Sequence, residues 1–207
     1  MNKNKSFNFK NFGSPLAANV AVIGVGYVGL PIAYNLAKSD TCCVTKKRTN
    51  HKVTAFDINK SRIKELRSAL DRTQEIKSLN LKKVNNLLFT YSKKDLYKAD
   101  VFIVTVPTHI TKNKLPNLTP LENACLMIGE ILNSRTNKEK YKPIVVIEST
   151  VFPGATEEFC VPTIEKKSNL IYNKDFFMGY SPERINPGDK ERNITDIVKV
   201  TSGSNKE

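Results

Sequence analysis

Val20-Ala21-Val22-Ile23-Gly24-Val25-Gly26-Tyr27-Val28-Gly29-Leu30-Pro31-Ile32-Ala33 is the stretch that decides the fold. An apolar run feeds a glycine-rich turn, and a helical pattern follows at once. In that context a G-x-G-x-x-G match predicts a strand, a turn and a helix that together cradle a dinucleotide. Gly24 permits the tight turn. Gly26 lets the backbone approach a pyrophosphate. Gly29 lets the helix pack closely on the strand. The first helical turn offers free N–H groups and the positive end of its dipole to the phosphates.

The partner of such a loop is an acid at the end of the next strand. Lys52-Val53-Thr54-Ala55-Phe56-Asp57 supplies it. A carboxylate there accepts both ribose hydroxyls and repels a 2′-phosphate, which points to NAD rather than NADP. Between Gly29 and Asp57 stand 27 residues, more than the roughly 20 usual for this motif. The surplus falls in Ser39 to His51, read as an elongated surface loop.

Signals for strand and helix alternate along the whole chain. They predict an α/β fold: a Rossmann-like, doubly wound, mainly parallel sheet with helices on both faces. Helices are expected from Tyr27 to Lys38, after Asn59, over Leu81 to Asn86, from Thr119 to Leu132, and from Ala155 to Lys167 with an interruption near Pro162. Thr119 reads as a hydroxyl cap with Pro120 first in its helix. Strands are expected at Leu87 to Thr90, Val101 to Val106, Ile144 to Ile147, Phe176 to Tyr180 and Ile197 to Thr201. If the strands are parallel, Asp57, Thr105, Thr108, Ser149, Thr150, Ser181 and Glu183 all emerge on one edge, where ligands of such sheets bind.

The chain of 207 residues carries 33 Lys and Arg against 20 Asp and Glu, a formal net charge of +13. The basic residues are dispersed and no aromatics interleave with them, so a nucleic-acid partner is not expected. The surplus reads as a solvated surface whose field favours anionic ligands. No run of about 18 apolar residues offers a membrane span. Residues 1–18 are basic, lack the apolar core of a secretory signal, and are expected to form a disordered tail before a domain spanning 19–207. A cytoplasmic setting with reduced thiols follows. Cys42, Cys43, Cys125 and Cys160 lack metal-ligand spacing, and the last two read as small core residues. His51 and His109 are assigned no catalytic role.

Several segments together resemble the UDP-glucose/GDP-mannose dehydrogenase family. They are the glycine loop through Pro31, Asp57-Ile58-Asn59-Lys60, Thr105-Val106-Pro107-Thr108, Glu148-Ser149-Thr150-Val151-Phe152-Pro153-Gly154, and Gly179-Tyr180-Ser181-Pro182-Glu183-Arg184-Ile185-Asn186-Pro187-Gly188-Asp189-Lys190. The Ser-Pro-Glu-Arg-Ile-Asn-Pro-Gly form resembles the branch acting on UDP-N-acetylhexosamines in capsule and O-antigen synthesis. The resemblance implies oxidation of the C6 hydroxyl of a UDP-sugar to a carboxylate, with two NAD consumed. It implies that Gly24, Gly26, Tyr27, Val28 and Gly29 line the pyrophosphate, that Asp57 holds the adenosine ribose with Arg62 nearby, and that Pro107, Thr108 and Ser149 border the cofactor. Thr150 is implied to order a water or the substrate hydroxyl near C6. Glu183 is implied to act in thioester hydrolysis, as general base or by orienting water.

The bland alternatives are that Ser149 and Thr150 cap the following helix and that Glu183 pairs with Arg184 or Lys190. Asp71-Arg72-Thr73 resembles a family loop but has no chemical role on sequence grounds. None of the four cysteines stands in the family's nucleophile motif, which the resemblance places after Glu207. The chain is therefore expected to bind NAD without turnover by itself. A complementing cysteine-bearing half or a homodimer is the expected partner, and a non-catalytic NAD-binding remnant is the alternative.

Overall fold

The computed structural model describes residues 16–42, 45–135, 142–184 and 198–205. The expected tail at 1–18 lies outside them but for its last three residues. Cys43, Ile197 and the Ile185 to Lys190 half of the Ser-Pro-Glu-Arg motif also fall outside.

Seven strands form one sheet: β1 (Asn19–Ile23), β2 (Lys52–Phe56), β3 (Leu87–Thr90), β4 (Val101–Val104), β5 (Ile144–Ile147), β6 (Phe177–Tyr180) and β7 (Ser202–Gly203). Their order is β3-β2-β1-β4-β5-β6-β7. The first six run parallel, and only β7 opposes its neighbour. The order reverses direction between β1 and β4, the place where such sheets open a crevice for ligands.

Both faces are covered because side chains alternate along each strand. In β1, Val20 and Val22 join a core with Leu30, Ala33, Ile63 and Leu66, from helices α1 (Gly29–Lys38) and α2 (Lys60–Arg67). Ala21 and Ile23 join the opposite core with Leu121, Ile128 and Ile164, from α4 (Thr119–Asn133) and α5 (Val161–Ser168). Leu121, Ile128, Ile131 and Leu132 of α4 are fully buried, each contributing about 2 kcal/mol. Cys125 and Cys160 are buried in this core. The Cys160 sulfur beside Cys125 and its burial push that thiol far up, so it stays protonated.

Four expected elements differ. The helix expected over Leu81 to Asn86 stands earlier, as α3 (Ser78–Leu81). Val84, Asn85 and Asn86 favour turn over helix, which ends it. Helix α4 begins at Thr119 itself, after Leu118. The Asn117 carboxamide accepts the Thr119 N–H at 3.1 Å, in place of the expected hydroxyl cap. The interrupted helix is a π-helical turn (Thr156–Cys160) leading into α5, which starts at Pro162's own turn. The last strand is two residues at 202–203 rather than five before it. It pairs with Gly179 and Tyr180. A side chain at Gly179 would stand 3.1 Å from the Ser202 carbonyl, so the glycine admits this close approach.

Candidate cofactor site

The glycine loop leaves β1 and is held by its neighbours on all sides but one. Gly24 has φ +93° and donates its N–H to the Phe56 carbonyl of β2 at 2.8 Å. A side chain there would press to 2.9 Å from the Thr105 carbonyl. Thr105 Oγ donates to the Gly24 carbonyl at 2.6 Å. A Cβ on Gly29 would fall 1.8 Å from that same carbonyl. Gly29 therefore serves the packing of α1 on the loop, and Thr105 is the pin that locks them together. Gly26 is different. It is exposed, and a Cβ there would meet nothing within 4 Å. The open side of the loop is the side a pyrophosphate needs. Tyr27 is half-exposed beside it, and Val28 leads into α1, whose first turn has no side-chain cap and no acid. An anion suits that end of a helix.

Asp57 follows β2 and reaches back to the loop. Its Oδ2 accepts the Val25 N–H at 3.0 Å and its Oδ1 accepts the Asn59 N–H at 2.8 Å. Each oxygen keeps a lone pair for a ribose hydroxyl. Asn59 caps α2 through the Arg62 N–H at 3.1 Å. Ile58, 86 % exposed beside Asp57, offers an apolar surface where an adenine would lie. The sequence carried a signal for it, an apolar residue directly after the acid, that the motif reading passed over.

Arg62 lies deeper than expected. Its side chain is 6 % exposed, and Nε donates to the Val25 carbonyl at 2.9 Å. Nη2 contacts Asp71 at 2.8 Å and Thr73 Oγ at 3.3 Å. Nη1 is buried with no hydrogen-bond partner among the described residues. Arg72 instead lies exposed and pairs with Glu65.

Further along the same edge, β4 and β5 end side by side. Pro107 is exposed, and Thr108 Oγ donates to the Thr150 carbonyl at 2.7 Å. Ser149 is buried and donates to the Val106 carbonyl at 2.6 Å. It ties two loops together, so the helix-cap alternative does not hold for Ser149. Thr150 is exposed at the rim.

Beyond it stands a charged cluster. Lys199 Nζ pairs with Glu148 and lies 3.6 Å from Glu183 Oε2. Glu183 Oε1 accepts the Arg184 N–H at 2.6 Å. Burial raises the Glu148 carboxyl above its ordinary value; hydrogen bonds from Lys199 and Ser181 and the Lys199 charge offset part of the rise, and the Glu183 charge adds to it. Sequence reasoning missed Lys199 and Glu148. Nothing local marks a lysine sixteen or more residues from its partners in a sheet that brings them together. Among the described residues no cluster of His, Cys, Asp and Glu could hold a metal ion. None of their helices is long and apolar enough to cross a membrane.

Residues 18–207 match the family model described as the UDP-glucose/GDP-mannose dehydrogenase family, NAD binding domain. A UDP-N-acetyl-D-glucosamine 6-dehydrogenase of Pseudomonas aeruginosa is 53 % identical over 188 residues, 91 % of this chain and 40 % of that protein. Another of the same name from Salmonella typhi is 44 % identical over 89 % of this chain and 39 % of that protein. Among solved structures, a UDP-D-ManNAc dehydrogenase from Pyrococcus horikoshii superposes with a TM-score of 0.73 at 30 % identity, covering 89 % of this chain and 41 % of that one. The chain thus spans about 40 % of the length of such relatives. It belongs to the UDP-glucose/GDP-mannose dehydrogenase family and corresponds to its NAD-binding domain.

Proposed function

Taking membership of this family as the premise, we propose that the chain is the NAD-binding part of a nucleotide-sugar 6-dehydrogenase. The full reaction oxidises the C6 hydroxyl of a UDP-N-acetylhexosamine or UDP-hexose to a carboxylate, with two NAD consumed. The observation that carries this reading is the open side of the glycine loop at Gly26, with the Asp57 carboxylate hydrogen-bonded to the same loop.

Gly26, Tyr27 and Val28 face the pyrophosphate, Gly24 and Gly29 shape the loop and helix behind them, and Asp57 holds the adenosine ribose. Arg62 adds a buried donor. Pro107, Thr108 and Ser149 shape the wall toward the nicotinamide. When bound, NAD⁺ supplies the hydride acceptor. Thr150 orders a water or the sugar hydroxyl near C6. Glu183 orients the water that hydrolyses a thioester, or takes its proton. Lys199 Nζ lies 3.6 Å from Glu183 Oε2 and orients that side chain for this role. The thiol that carries the thioester is supplied by a cysteine-bearing segment other than these residues, either joined to this one or as a partner half. A homodimer is a second way to complete the site. Alone, the chain binds NAD⁺ and does not turn over.

Calorimetric titration tests this. NAD⁺ is expected to bind and NADP⁺ to bind far more weakly. Asp57→Ala is expected to weaken NAD⁺ by about a hundredfold and to erase the preference, since it removes a charged acceptor from two hydroxyls. Equal affinity for both cofactors in the wild-type protein would overturn the ribose assignment. Absence of any heat with NAD⁺ on folded protein would overturn the reading itself. Oxidation of a UDP-sugar by the chain unaided would overturn the need for a second segment.

A further inference from the structure

The loop Asp71-Arg72-Thr73 is joined to the glycine loop through Arg62. Asp71 is a buried carboxylate, its side chain 1 % exposed. Oδ1 accepts the Thr73 N–H at 3.0 Å and the Thr73 hydroxyl at 2.6 Å. Oδ2 accepts the Glu75 and Ile76 N–H groups at 2.9 and 3.0 Å. The carboxylate is thereby fixed in place by its own turn. Its remaining contact is Arg62 Nη2 at 2.8 Å. Thr73 Oγ also faces that nitrogen at 3.3 Å.

Arg62 in turn holds the Val25 carbonyl through Nε at 2.9 Å. Every peptide among the described residues is trans. In a trans peptide the carbonyl of one residue and the N–H of the next point in opposite directions. Drawing the Val25 carbonyl inward to Arg62 therefore turns the Gly26 N–H outward. No acceptor among the described residues takes that N–H, and Gly26 itself is exposed with open space around it. The preceding peptide is held as well, since Asp57 accepts the Val25 N–H at 3.0 Å. The two peptides flanking Val25 are thus each fixed by a different side chain.

We propose that Asp71, assisted by Thr73, is a positioning residue for the pyrophosphate site: it holds the Arg62 guanidinium that aims the Gly26 amide at the ligand. This rests on the NAD reading above for the identity of the ligand, but not for the wiring. Asp71 acts through Arg62. Its effect travels Asp71, Arg62, Val25 carbonyl, Gly26 N–H. Preorganising a backbone donor in this way lowers the cost of orienting it when the anion arrives.

The test compares the wild-type chain with Asp71→Asn and Thr73→Val, using ¹⁵N-labelled protein and three probes: NAD⁺, ADP-ribose and adenosine. In Asp71→Asn the Gly26 amide resonance is expected to move without any ligand present. Affinity for NAD⁺ and for ADP-ribose is expected to fall about tenfold, while adenosine, which has no pyrophosphate, changes by less than about twofold. A merely structural role would weaken all three probes alike, and that result overturns the proposal. So does a folded Asp71→Asn protein with an unmoved Gly26 resonance and unchanged NAD⁺ affinity. If Asp71→Asn fails to fold, Thr73→Val decides. It keeps the ion pair and removes the hydroxyl bridge, and it is expected to move Gly26 in the same direction with about a threefold loss for the pyrophosphate ligands. No change there overturns the proposal. If the wild-type chain bound no NAD⁺ while Gly26 still answered to Asp71→Asn, the cofactor reading would fail and the wiring would stand.

Discussion

At the β1–β2 end of the ligand edge, the polar side chains are spent on main-chain groups. Thr105 holds Gly24, Asp57 and Arg62 hold the two sides of Val25, and Asp71 is saturated by its own turn. At the β5–β6 end the polar side chains face one another instead, with Glu148 and Glu183 around Lys199. The first end is rigid by construction and presents backbone donors. The second sets a lysine between two carboxylates. A binding site for a fixed anion needs the former, and proton transfer needs the latter.

The sharpest test of the rigid end compares two glycines three residues apart. Gly29→Ala forces a Cβ to 1.8 Å from a backbone carbonyl, and backbone cannot yield cheaply. A loss of about 3 kcal/mol or more is expected in urea unfolding. Gly26→Ala meets open space. Its stability is expected to stay within about 1 kcal/mol of wild type, while NAD⁺ affinity falls by more than about tenfold because the methyl occupies the approach to the pyrophosphate. If both variants lost stability equally, the division of labour between the two glycines would be wrong.

Ser149→Ala probes the seam where the two ends meet. It removes the bond to the part-buried Val106 carbonyl, so about 1 kcal/mol of stability is expected to go. A neutral result would mean that the β4 and β5 loops are held by their neighbours rather than by this hydroxyl.

The smallest expected effect distinguishes the ends by the sign of their pH dependence. Burial raises Glu148 above 4.5, despite Lys199 and Ser181. An acid whose folded pKa is raised contributes stability that is complete below 4.5 and lost as pH rises through the folded value. Burial also acts to raise Asp71, but hydrogen bonds from Thr73, Ile76 and Arg62 outweigh it and hold the carboxyl below 3.8. Its contribution is present above 3.8 and is lost as pH falls through the folded value. Glu148→Gln is therefore expected to gain on wild type as pH rises from about 4 to about 8, by up to about 1 kcal/mol. Asp71→Asn is expected to keep a constant deficit across that range and to recover ground on wild type only as pH falls below 3.8. Chemical denaturation at several pH values reads both, and parallel curves for the two variants would refute the contrast.

The sequence revealed one of these ends far better than the other. The glycine loop, Asp57 and the parallel strands are legible because each is a local pattern: an apolar run, a turn that only glycine permits, an acid at a strand's end. Even there the reading stopped at Asp71. Its role depends on a salt bridge to Arg62, nine residues away across a turn, and no periodicity marks such a contact. Glu183 stood out through its motif, whereas Glu148 with Lys199 did not. Their partnership exists only because β7 returns against β6 and carries the lysine to the ends of β5 and β6. Helix ends were misread where an Asn two residues upstream did the work assigned to a threonine.

That returning strand also decides how the sheet can meet other chains. Beside Gly179 and Tyr180 it supplies a ladder of two residues, and Ser204 then closes on Met178 with its N–H at 2.9 Å. On this side the outer margin of the sheet is a strand of only two residues, which leaves little ladder for a further strand to pair with. A companion polypeptide would gain few ladder bonds by extending the sheet from β7, and more by settling on a face of the domain or on its loops.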